Sequence, residues 1–589
     1  MKQNLLKTCL PLGALLLLSG CIDDNYDISD IDKTTQINVN DLIVPINIDA
    51  VELSEIIKID DNSKIKVVNL NGKEVYAISQ TGQFNSDPIE IAGFTAPSPQ
   101  IEPTVAEFNI LSDLTRSLST TTHYELNDFK PQDVHFIASN VDSSIKKINS
   151  LKCEPLKIEL RMKATGFDSN TTLSFKYLDF FIFKGLSLIN LPSNYSYNPT
   201  TGLLRIENVE CPGHESVLTI TANGVNFQQA GTQLTSNHEL NYESKIELDK
   251  AEMVMTTNYD NQIPSLPELV TFDVTTTVTD LTATAVSGVI EYNLEGDALR
   301  IDPVSLSDIP DFLSDEQTDL RLANPQIYIG LNNPLATYDL GFQTGLQLAA
   351  IRGDKKENFN LDSGQLVKVG YEYGIAGPYN YVISPYLPSQ PLSEYANHLS
   401  HVGFSSLSDV LAGNGLPQTI EIALVNPELP EQNVTDFKLN NTIPGIEGTY
   451  EFLAPLALKT GENGSVIVYT GTEDGWNSKD LDKLTITSLT VNADVFSDLP
   501  IGAKLTIHPV DKEGNKISGV KVEAANIEAN ANGQAITLVV TGEIKNLDGI
   551  IYKAVVRPGS DAALSPDQTL NLKNIKAKVS GYYLTDFED

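Results

Sequence analysis

The chain has 589 residues and a formal net charge of −37, with 77 acidic residues against 40 lysines and arginines. This length suggests roughly three to five domains of ordinary size, each able to bury a core. The negative charge argues against nucleic acid as a partner, because binding phosphate requires a basic patch. It also repels anionic lipid surfaces, so electrostatic attraction alone would not hold the chain at a membrane.

The first twenty residues have the composition of a secretory signal. Lys2 and Lys7 supply a positive start, and the apolar run 10–18 leads to the small residues Ser19 and Gly20. The apolar run has roughly ten residues, whereas a helix needs about 20 to span a bilayer. We therefore predict a signal peptide over 1–20, ending immediately before Cys21.

The ending Leu18-Ser19-Gly20-Cys21 resembles a bacterial lipobox. The resemblance implies cleavage before Cys21, a diacylglycerol on its sulfur and a further fatty acyl chain, such as palmitate, on its amine. Two or more chains anchor a protein stably where one chain is marginal. The alternative is an ordinary secretory signal followed by a chance cysteine.

An acidic run follows the cysteine, with Asp23, Asp24, Asp27, Asp30 and Asp32 close together. Such a run cannot pack against a core and predicts a flexible, solvated tether over 21–37. It also resembles the acidic export signal of surface lipoproteins in the Bacteroidota. The resemblance implies an outer-membrane, lipid-anchored protein that faces the cell exterior, with Asp23, Asp24 and Asp27 as its export signal. The alternative is a plain acidic linker on a lipoprotein that faces the periplasm.

The remaining chain is patterned as β-strands. Segments 156–162 and 272–278 alternate apolar and polar residues, as half-buried strands do, and Asn71-Gly72 between two β-rich runs predicts a hairpin. Turn clusters recur about every 8 to 12 residues, the spacing typical of β-sandwiches. We predict an all-β chain with several tandem, immunoglobulin-like β-sandwich domains after the signal peptide and tether.

Composition divides the chain after the tether into four ranges, with boundaries set by turn and proline clusters. They are an N-terminal β-rich module (38–150), a β-sandwich region (151–300), a β-sandwich region with short helices (301–480) and a C-terminal β-sandwich (481–589).

Two cysteines remain after the signal and the anchor, Cys153 and Cys211. In an exported chain they could form a disulfide, which would stabilise the fold by roughly 4 kcal/mol in the chain-entropy model. The alternative is two buried thiols, because sequence spacing alone cannot place two Cα atoms within bonding range.

Catalytic and cofactor motifs are missing from the sequence. It has no Gly-x-Ser-x-Gly elbow and no phosphate-binding glycine loop. His214-Glu215 and His238-Glu239 begin like a zinc-protease motif but lack the second histidine, and the pair His398 and His401 lacks a third ligand. We therefore expect no enzyme activity, no cofactor and no metal site.

Aromatic residues are the strongest candidates for ligand contact. Trp476, the single tryptophan, lies in a polar loop, and Tyr371, Tyr373, Tyr379 and Tyr381 crowd a short segment. Exposed rings of this kind could stack on a sugar face. The alternatives are a tryptophan folded back onto its own domain and tyrosine pairs that cover a core edge.

These patterns favour a non-catalytic cell-surface lipoprotein that acts as a binding or interaction module, for glycans or for another surface protein. The alternative is a structural or adhesive surface subunit, since stacked sandwich domains also build stalks. An enzyme is the interpretation with the least support in the sequence.

Overall fold

The computed structural model describes residues 34–46, 50–57, 59, 63–70, 72–109, 119–127, 129–230, 233–258, 269–293, 300–306, 313, 315–370, 377–475 and 483–586. Strands hold 64% of the chain and helices 4%, so the all-β prediction is confirmed.

The described part of residues 34–300 forms strands joined by short turns and two one-turn helices. In chain order they are β1 (Thr34–Ile46), β2 (Val51–Glu52), α1 (Leu53–Ile56), β3 (Ile65–Leu70), β4 (Lys73–Asn85), β5 (Thr95–Ala96), β6 (Thr104–Asn109), β7 (Ser119–Leu126), β8 (Gln132–Ala138), β9 (Ile145–Thr165), β10 (Thr171–Phe181), β11 (Leu186–Ile189), β12 (Tyr195–Asn198), β13 (Leu203–Cys211), β14 (Glu215–Asn226), α2 (Phe227–Ala230), β15 (Gln233–Leu234), β16 (Leu240–Asn258), β17 (Leu269–Val278) and β18 (Leu281–Asn293).

The remainder continues in the same way, with 3-10 turns at Ala336–Tyr338, Ser393–Tyr395 and Ser405–Asp409. A further 3-10 turn, Pro212–His214, joins β13 to β14. Its strands are β19 (Arg300–Ser305), β20 (Gln326–Leu331), β21 (Phe342–Arg352), β22 (Lys355–Asn360), β23 (Val367–Val369), β24 (Tyr379–Ser384), β25 (Leu399–Gly403), β26 (Thr419–Lys438), β27 (Glu447–Pro455), β28 (Ile467–Glu473), β29 (Leu484–Ser497), β30 (Ile501–Val510), β31 (Lys521–Glu523), β32 (Ala525–Ile527), β33 (Asn532–Ile544), β34 (Gly549–Pro558) and β35 (Thr569–Asp586).

Within the described residues these strands form five sheets. The terminal sheet has the order β1-β35-β29-β33-β31, with β2 on β35, and the central sheet has twelve strands built on β11-β14-β9-β18-β26-β21-β22. A seven-stranded sheet has the order β12-β13-β10-β16-β15, with β7 and β8 on β16, and a four-stranded sheet has the order β28-β34-β30-β32. The six-stranded sheet β25-β24-β20-β27-β4-β3 is called the groove sheet, because a surface groove described below lies on it. Several open sheets of this kind are consistent with multiple β-sandwich domains.

The alternation in the sequence produces the sheet faces directly. In β9 the side chains of Leu156, Ile158 and Leu160 are fully buried, whereas the residues between them are exposed. The predicted hairpin is also present, because Leu70 pairs with Lys73 across a two-residue turn at which Gly72 has φ +78°. Successive side chains on a strand point to opposite faces, so each apolar set faces one core.

Sequence-distant segments build the sheets together. Strand β1 pairs with β35, the last strand, and β4 pairs with β27, while β8 pairs with β16. Strands from 38–150 thus lie beside strands from each of the three later ranges, and the division into four ranges stays a prediction.

Strand β1 begins inside the range predicted as tether, which extended to residue 37. Its first residues, Thr34, Thr35 and Ile37, are β-branched and favour an extended strand wherever a partner edge is present. Strand β35 supplies that edge, with Thr34 opposite Asp586. Residues 34–37 of the range predicted as tether therefore belong to a strand of the terminal sheet.

One hydrophobic core runs through most of the described chain, from Leu53 to Leu564. In the terminal sheet it reaches Leu570, at the start of β35. A smaller cluster around Ile486 on β29 and Val540 on β33 covers another part of the same sheet. Among the described residues, no helix has both the length and the apolar character needed to cross a membrane.

Candidate functional site

A polar groove of about 940 Å³ lies on the outward face of the groove sheet. Strands β4, β20, β24 and β27 form its floor, and the 3-10 turn at Ser393–Tyr395 forms one wall. The polar side chains that line it are Thr81, Gln83, Asn85, Asn332, Asn380, Glu394, Glu447, Thr449 and Glu451, with the ring of Tyr395 among them.

Strand alternation explains why this face is polar. On β27 the outward residues are Glu447, Thr449 and Glu451, whereas Tyr450 and Phe452, at alternate positions, are buried in the main core. Strand β4 repeats the pattern, with polar residues at alternate positions opposite those of β27. The register therefore collects amides, hydroxyls and carboxylates on one surface.

Gly330 keeps the floor of the groove open. It pairs with Thr449 on one side and with Asn380 on the other. A Cβ atom at this position would lie 3.0 Å from both Asn380 Oδ1 and Thr449 Oγ1, and 3.6 Å from Tyr395 Cε1. A larger residue would fill the space in which a ligand could sit.

The segment 385–398 closes one end of the groove. The Leu392 N–H donates to the Tyr328 hydroxyl at 3.3 Å, and Asn380 Nδ2 donates to the Asn397 carbonyl oxygen at 2.7 Å. The Tyr395 ring lies over that of Tyr328, with centroids 5.2 Å apart. Tyr395 thus belongs both to a small hydrophobic cluster under the segment and to the groove wall.

The closed end is acidic. Burial raises the pKa of the Glu451 carboxyl, and the nearby Glu394 raises it further, while Lys66 and a hydrogen bond with Ser79 act in the opposite direction. Burial likewise raises the pKa of the Tyr395 hydroxyl, opposed by a hydrogen bond with Thr449. No lysine or arginine is among the described lining residues, so this surface repels anions.

Several lining side chains are uncommitted within the fold. Gln83, Asn85 and Asn332 make no side-chain hydrogen bond to any residue that the structure describes. Amide groups that point into a groove without internal partners can donate to a ligand and accept from it. The groove can therefore bind a molecule rich in hydroxyl groups.

The predicted tyrosine platform is wrong for Tyr379 and Tyr381. Both side chains lie on the inward face of β24 and are buried, with 5% and 4% of their surface exposed. The Tyr381 hydroxyl donates to the Lys368 carbonyl oxygen. Asn380, between them, is the residue of β24 that faces the groove, because burial of two large rings outweighs any gain from exposing them.

Seven of the predicted site residues fall outside the described residues. They are the lipidation site Cys21, the export-signal residues Asp23, Asp24 and Asp27, and the stacking candidates Trp476, Tyr371 and Tyr373.

Cys153 and Cys211 are free, buried thiols, on β9 and β13 respectively. Cys211 forms a hydrogen bond with Ser216, which pairs with Met162, nine residues beyond Cys153 along β9. At about 3.3 Å per residue this places the two cysteines roughly 30 Å apart, far beyond disulfide range. The predicted disulfide does not form in this fold, and burial raises the pKa of Cys153 to about 11 and of Cys211 to about 12.

The histidine motifs do not assemble into a metal centre in the described part of the chain, where no three His, Cys, Asp or Glu side chains could hold an ion together. His398 precedes β25 and His401 lies within it, so the two do not share a helical face.

Sequence reasoning missed the groove residues themselves. A usable signal existed in Thr81, Gln83 and Asn85, which alternate with a glycine and an aromatic residue, and in the matching alternation of 447–452. When two paired strands each carry polar residues on one face and aromatic residues on the other, the polar face is expected to be exposed to solvent.

No family model matches the chain, and no curated protein matches it. Among solved structures, one from Parabacteroides distasonis, a protein described as secreted, resembles part of the chain. It has 15% identity and a TM-score of 0.34, and the aligned part covers 50% of this chain and 89% of that protein. A likeness this weak carries no argument about the function of the chain.

Proposed function

We propose that the protein is a non-catalytic, lipid-anchored protein of the outer membrane, facing the cell exterior, that binds neutral glycans in the groove. One observation carries the proposal, namely a polar groove that combines uncommitted amides, hydroxyls and carboxylates with one aromatic wall and lacks a cationic residue among its described lining.

The chemistry of the groove suits a sugar. Hydroxyl groups donate to carboxylates and both donate to and accept from amides, so residues such as Gln83 and Glu451 complement a pyranose ring. The edge and face of Tyr395 offer apolar contact for the carbon atoms of the same ring. A few convergent polar groups with an aromatic contact are typical of ligand sites.

The charge selects among glycans. Three glutamates line the groove, and the whole chain carries −37. Sulfated, sialylated or uronic-acid chains would meet repulsion both at the surface and in the site, so neutral oligosaccharides are the expected ligands. The same repulsion excludes nucleic acid.

The fold supports display of the groove away from the proposed anchor. Thr34 lies opposite Asp586, at the end of β35, roughly 50 Å along that strand from its start at Thr569. The start of β35 is the end close to β4, because Ser565 Oγ donates to the Glu74 carbonyl oxygen. Thr34 thus lies at the far end of β35 from its contact with β4, the strand that carries Thr81, Gln83 and Asn85 of the groove.

The test of binding is a glycan array probed with the purified mature chain carrying Cys21→Ser to keep it free of lipid. We expect neutral oligosaccharides among the hits and weaker binding by Gln83→Ala. Gln418→Ala is the matched control, since it removes another exposed glutamine that lies outside both the groove lining and the segment 385–398. A hit that both variants bind equally well would remove the groove from the proposal, and an array without neutral hits would favour a structural or adhesive role.

The anchor has its own test. Cys21→Ser in the full-length chain should abolish incorporation of labelled fatty acid, because Cys21 is the cysteine at the predicted cleavage site. Replacing Asp23, Asp24 and Asp27 together with alanine should leave acylation intact and reduce labelling by a reagent that cannot enter intact cells. Acylation that survives Cys21→Ser would contradict the anchor, and unchanged surface labelling would contradict the export signal.

A further inference from the structure

We propose that the groove recognises the end of a neutral oligosaccharide chain, with the terminal sugar seated at the closed end between Glu394 and Glu451. This inference rests on the proposed function and names the part of the ligand that the site selects. It derives from the shape of the groove and from the kind of hydrogen-bonding atoms at its closed end.

The segment 385–398 blocks the groove at one end. The segment 385–398 is packed on the sheet through Tyr328, Tyr395 and Leu392, so the groove cannot continue past Tyr395. Its opposite end opens between the ends of β4 and β20, where Asn85 and Asn332 are exposed. An internal sugar of a long chain would need an exit at both ends, whereas a terminal sugar needs one.

The atoms at the closed end are hydrogen-bond acceptors. Glu394 and Glu451 both line the groove, and Glu394 is near enough for its charge to raise the pKa of Glu451. Ionised carboxylates only accept hydrogen bonds. Asn380 is 97% buried (3% exposed), and its Nδ2 is bound to Asn397, which leaves Oδ1 beside the groove floor with no donor among the described residues. The two carboxylates at the closed end and this amide oxygen on the adjoining floor thus offer three acceptors to the terminal sugar.

Chain ends differ from internal sugars in this property. A terminal sugar carries a free hydroxyl at the position where an internal sugar carries a glycosidic oxygen, which has no hydrogen to donate. Acceptor groups of the protein that face a glycosidic oxygen would lose their bound water without gaining a hydrogen bond. This free-energy cost discriminates strongly between ligands that carry the hydroxyl group and ligands that lack it. The closed end therefore favours the free hydroxyls of a terminus.

The experiment measures binding of a panel of short linear neutral gluco-, manno-, xylo- and galacto-oligosaccharides by isothermal titration calorimetry with the mature chain carrying Cys21→Ser. Each bound oligosaccharide is compared with three derivatives, O-methylated at its non-reducing terminal hydroxyls, converted to a methyl glycoside at its reducing end, or blocked at both ends. We expect one single block to weaken binding at least about tenfold, or about 1.4 kcal/mol, and the other to have little effect. The sensitive end identifies the terminus that enters.

Variants connect the discrimination to the closed end. Glu451→Gln replaces one acceptor oxygen with a donor and should reduce the ratio between unblocked and blocked ligands. Glu462→Gln removes the same charge at an exposed site outside the groove lining and should leave the ratio unchanged.

Equal binding of the unblocked and doubly blocked ligands would overturn end recognition while leaving glycan binding in place. An undiminished ratio in Glu451→Gln would also overturn it. Failure of every unblocked oligosaccharide to bind would remove both this inference and the proposed function.

Discussion

The two faces of the groove sheet have opposite compositions although they share the same strands. The inward face carries rings and branched aliphatic side chains, such as those of Tyr450, Phe452 and Ile329, that are at most 1% exposed and belong to the main core. The outward face carries a small hydrophobic cluster at one end and the polar groove at the other. The inward face packs the sheet into the main core, and part of the outward face is open to solvent along the groove.

Gly82 and Gly330 illustrate how the two faces of the groove sheet differ in packing. Gly82 faces inward, where a Cβ would lie 2.4 Å from Cε1 of Tyr450, so its absence makes room for a core ring. Gly330 faces outward, where the absence of a Cβ leaves space for solvent or a ligand. The same residue type therefore serves packing on one face and access on the other.

The largest expected effect comes from breaking the inward face. Phe452→Ala removes a fully buried ring from the main core, and truncation of a buried phenylalanine costs about 3–5 kcal/mol. Gln83→Ala, on the outward face of the neighbouring strand, should stay within about 0.5 kcal/mol because the side chain is exposed.

Urea denaturation followed by circular dichroism compares the two variants with the parent chain. The division of labour between the faces would be refuted if Gln83→Ala cost as much free energy of unfolding as Phe452→Ala does.

A smaller effect is expected from filling the groove floor. Gly330→Ala should change the free energy of unfolding by less than about 1 kcal/mol. The gain from replacing a glycine within a strand is offset by close contacts of the new Cβ at 3.0 Å, to which the side chains of Asn380 and Thr449 must yield. The substitution should weaken glycan binding by about tenfold, or about 1.4 kcal/mol, because the methyl group occupies the floor.

Gly345→Ala is the matched control for this substitution. Its new Cβ would also meet a neighbour at 3.0 Å, the Val425 side chain, but in the central sheet and outside the groove lining. Calorimetric titration of both variants with one array hit provides the measurement. Equal losses of affinity in the two variants would show that the groove floor is not the binding surface.

The sequence was sufficient to predict the strands but not to predict which face of each strand is buried. Alternation in 156–162 and the Asn71-Gly72 turn are local signals, and the corresponding strands and hairpin are present. Whether Tyr379 and Tyr381 or Asn380 would face solvent depends on which strands lie beside β24. That choice is made by tertiary packing, so periodicity alone could not determine it.

The groove was beyond local reasoning for the same reason. Its central row joins Gln83, Thr449, Gly330 and Asn380, which come from four distant parts of the chain. Nothing in any one segment indicates its partners. The pairing of β1 with β35 is a further example, because contact between the first and last strands leaves no trace in either sequence segment alone.

The smallest expected effect concerns the closed end of the groove and depends on pH. Burial, and secondly Glu394, raise the pKa of Glu451 in the folded protein. Between the ordinary glutamate pKa and this raised value the folded state binds more protons than the unfolded state, so the free energy of unfolding falls as pH increases through that interval. Once it is ionised, Glu451 therefore destabilises the fold.

Glu451→Gln should remove this penalty, because the amide keeps the shape of the side chain without its charge. We expect the variant to be slightly more stable than the parent chain at neutral pH. The difference should shrink as pH falls from the raised pKa to the ordinary glutamate pKa, below which the parent carboxyl is neutral in both the folded and the unfolded state. Urea denaturation at a series of pH values, with Glu462→Gln as the exposed control, measures the difference. A variant that is less stable than the parent chain at neutral pH would mean that contacts within the protein stabilise the charge of Glu451. The acceptor oxygens at the closed end would then already have partners in the protein and would not be available to a ligand.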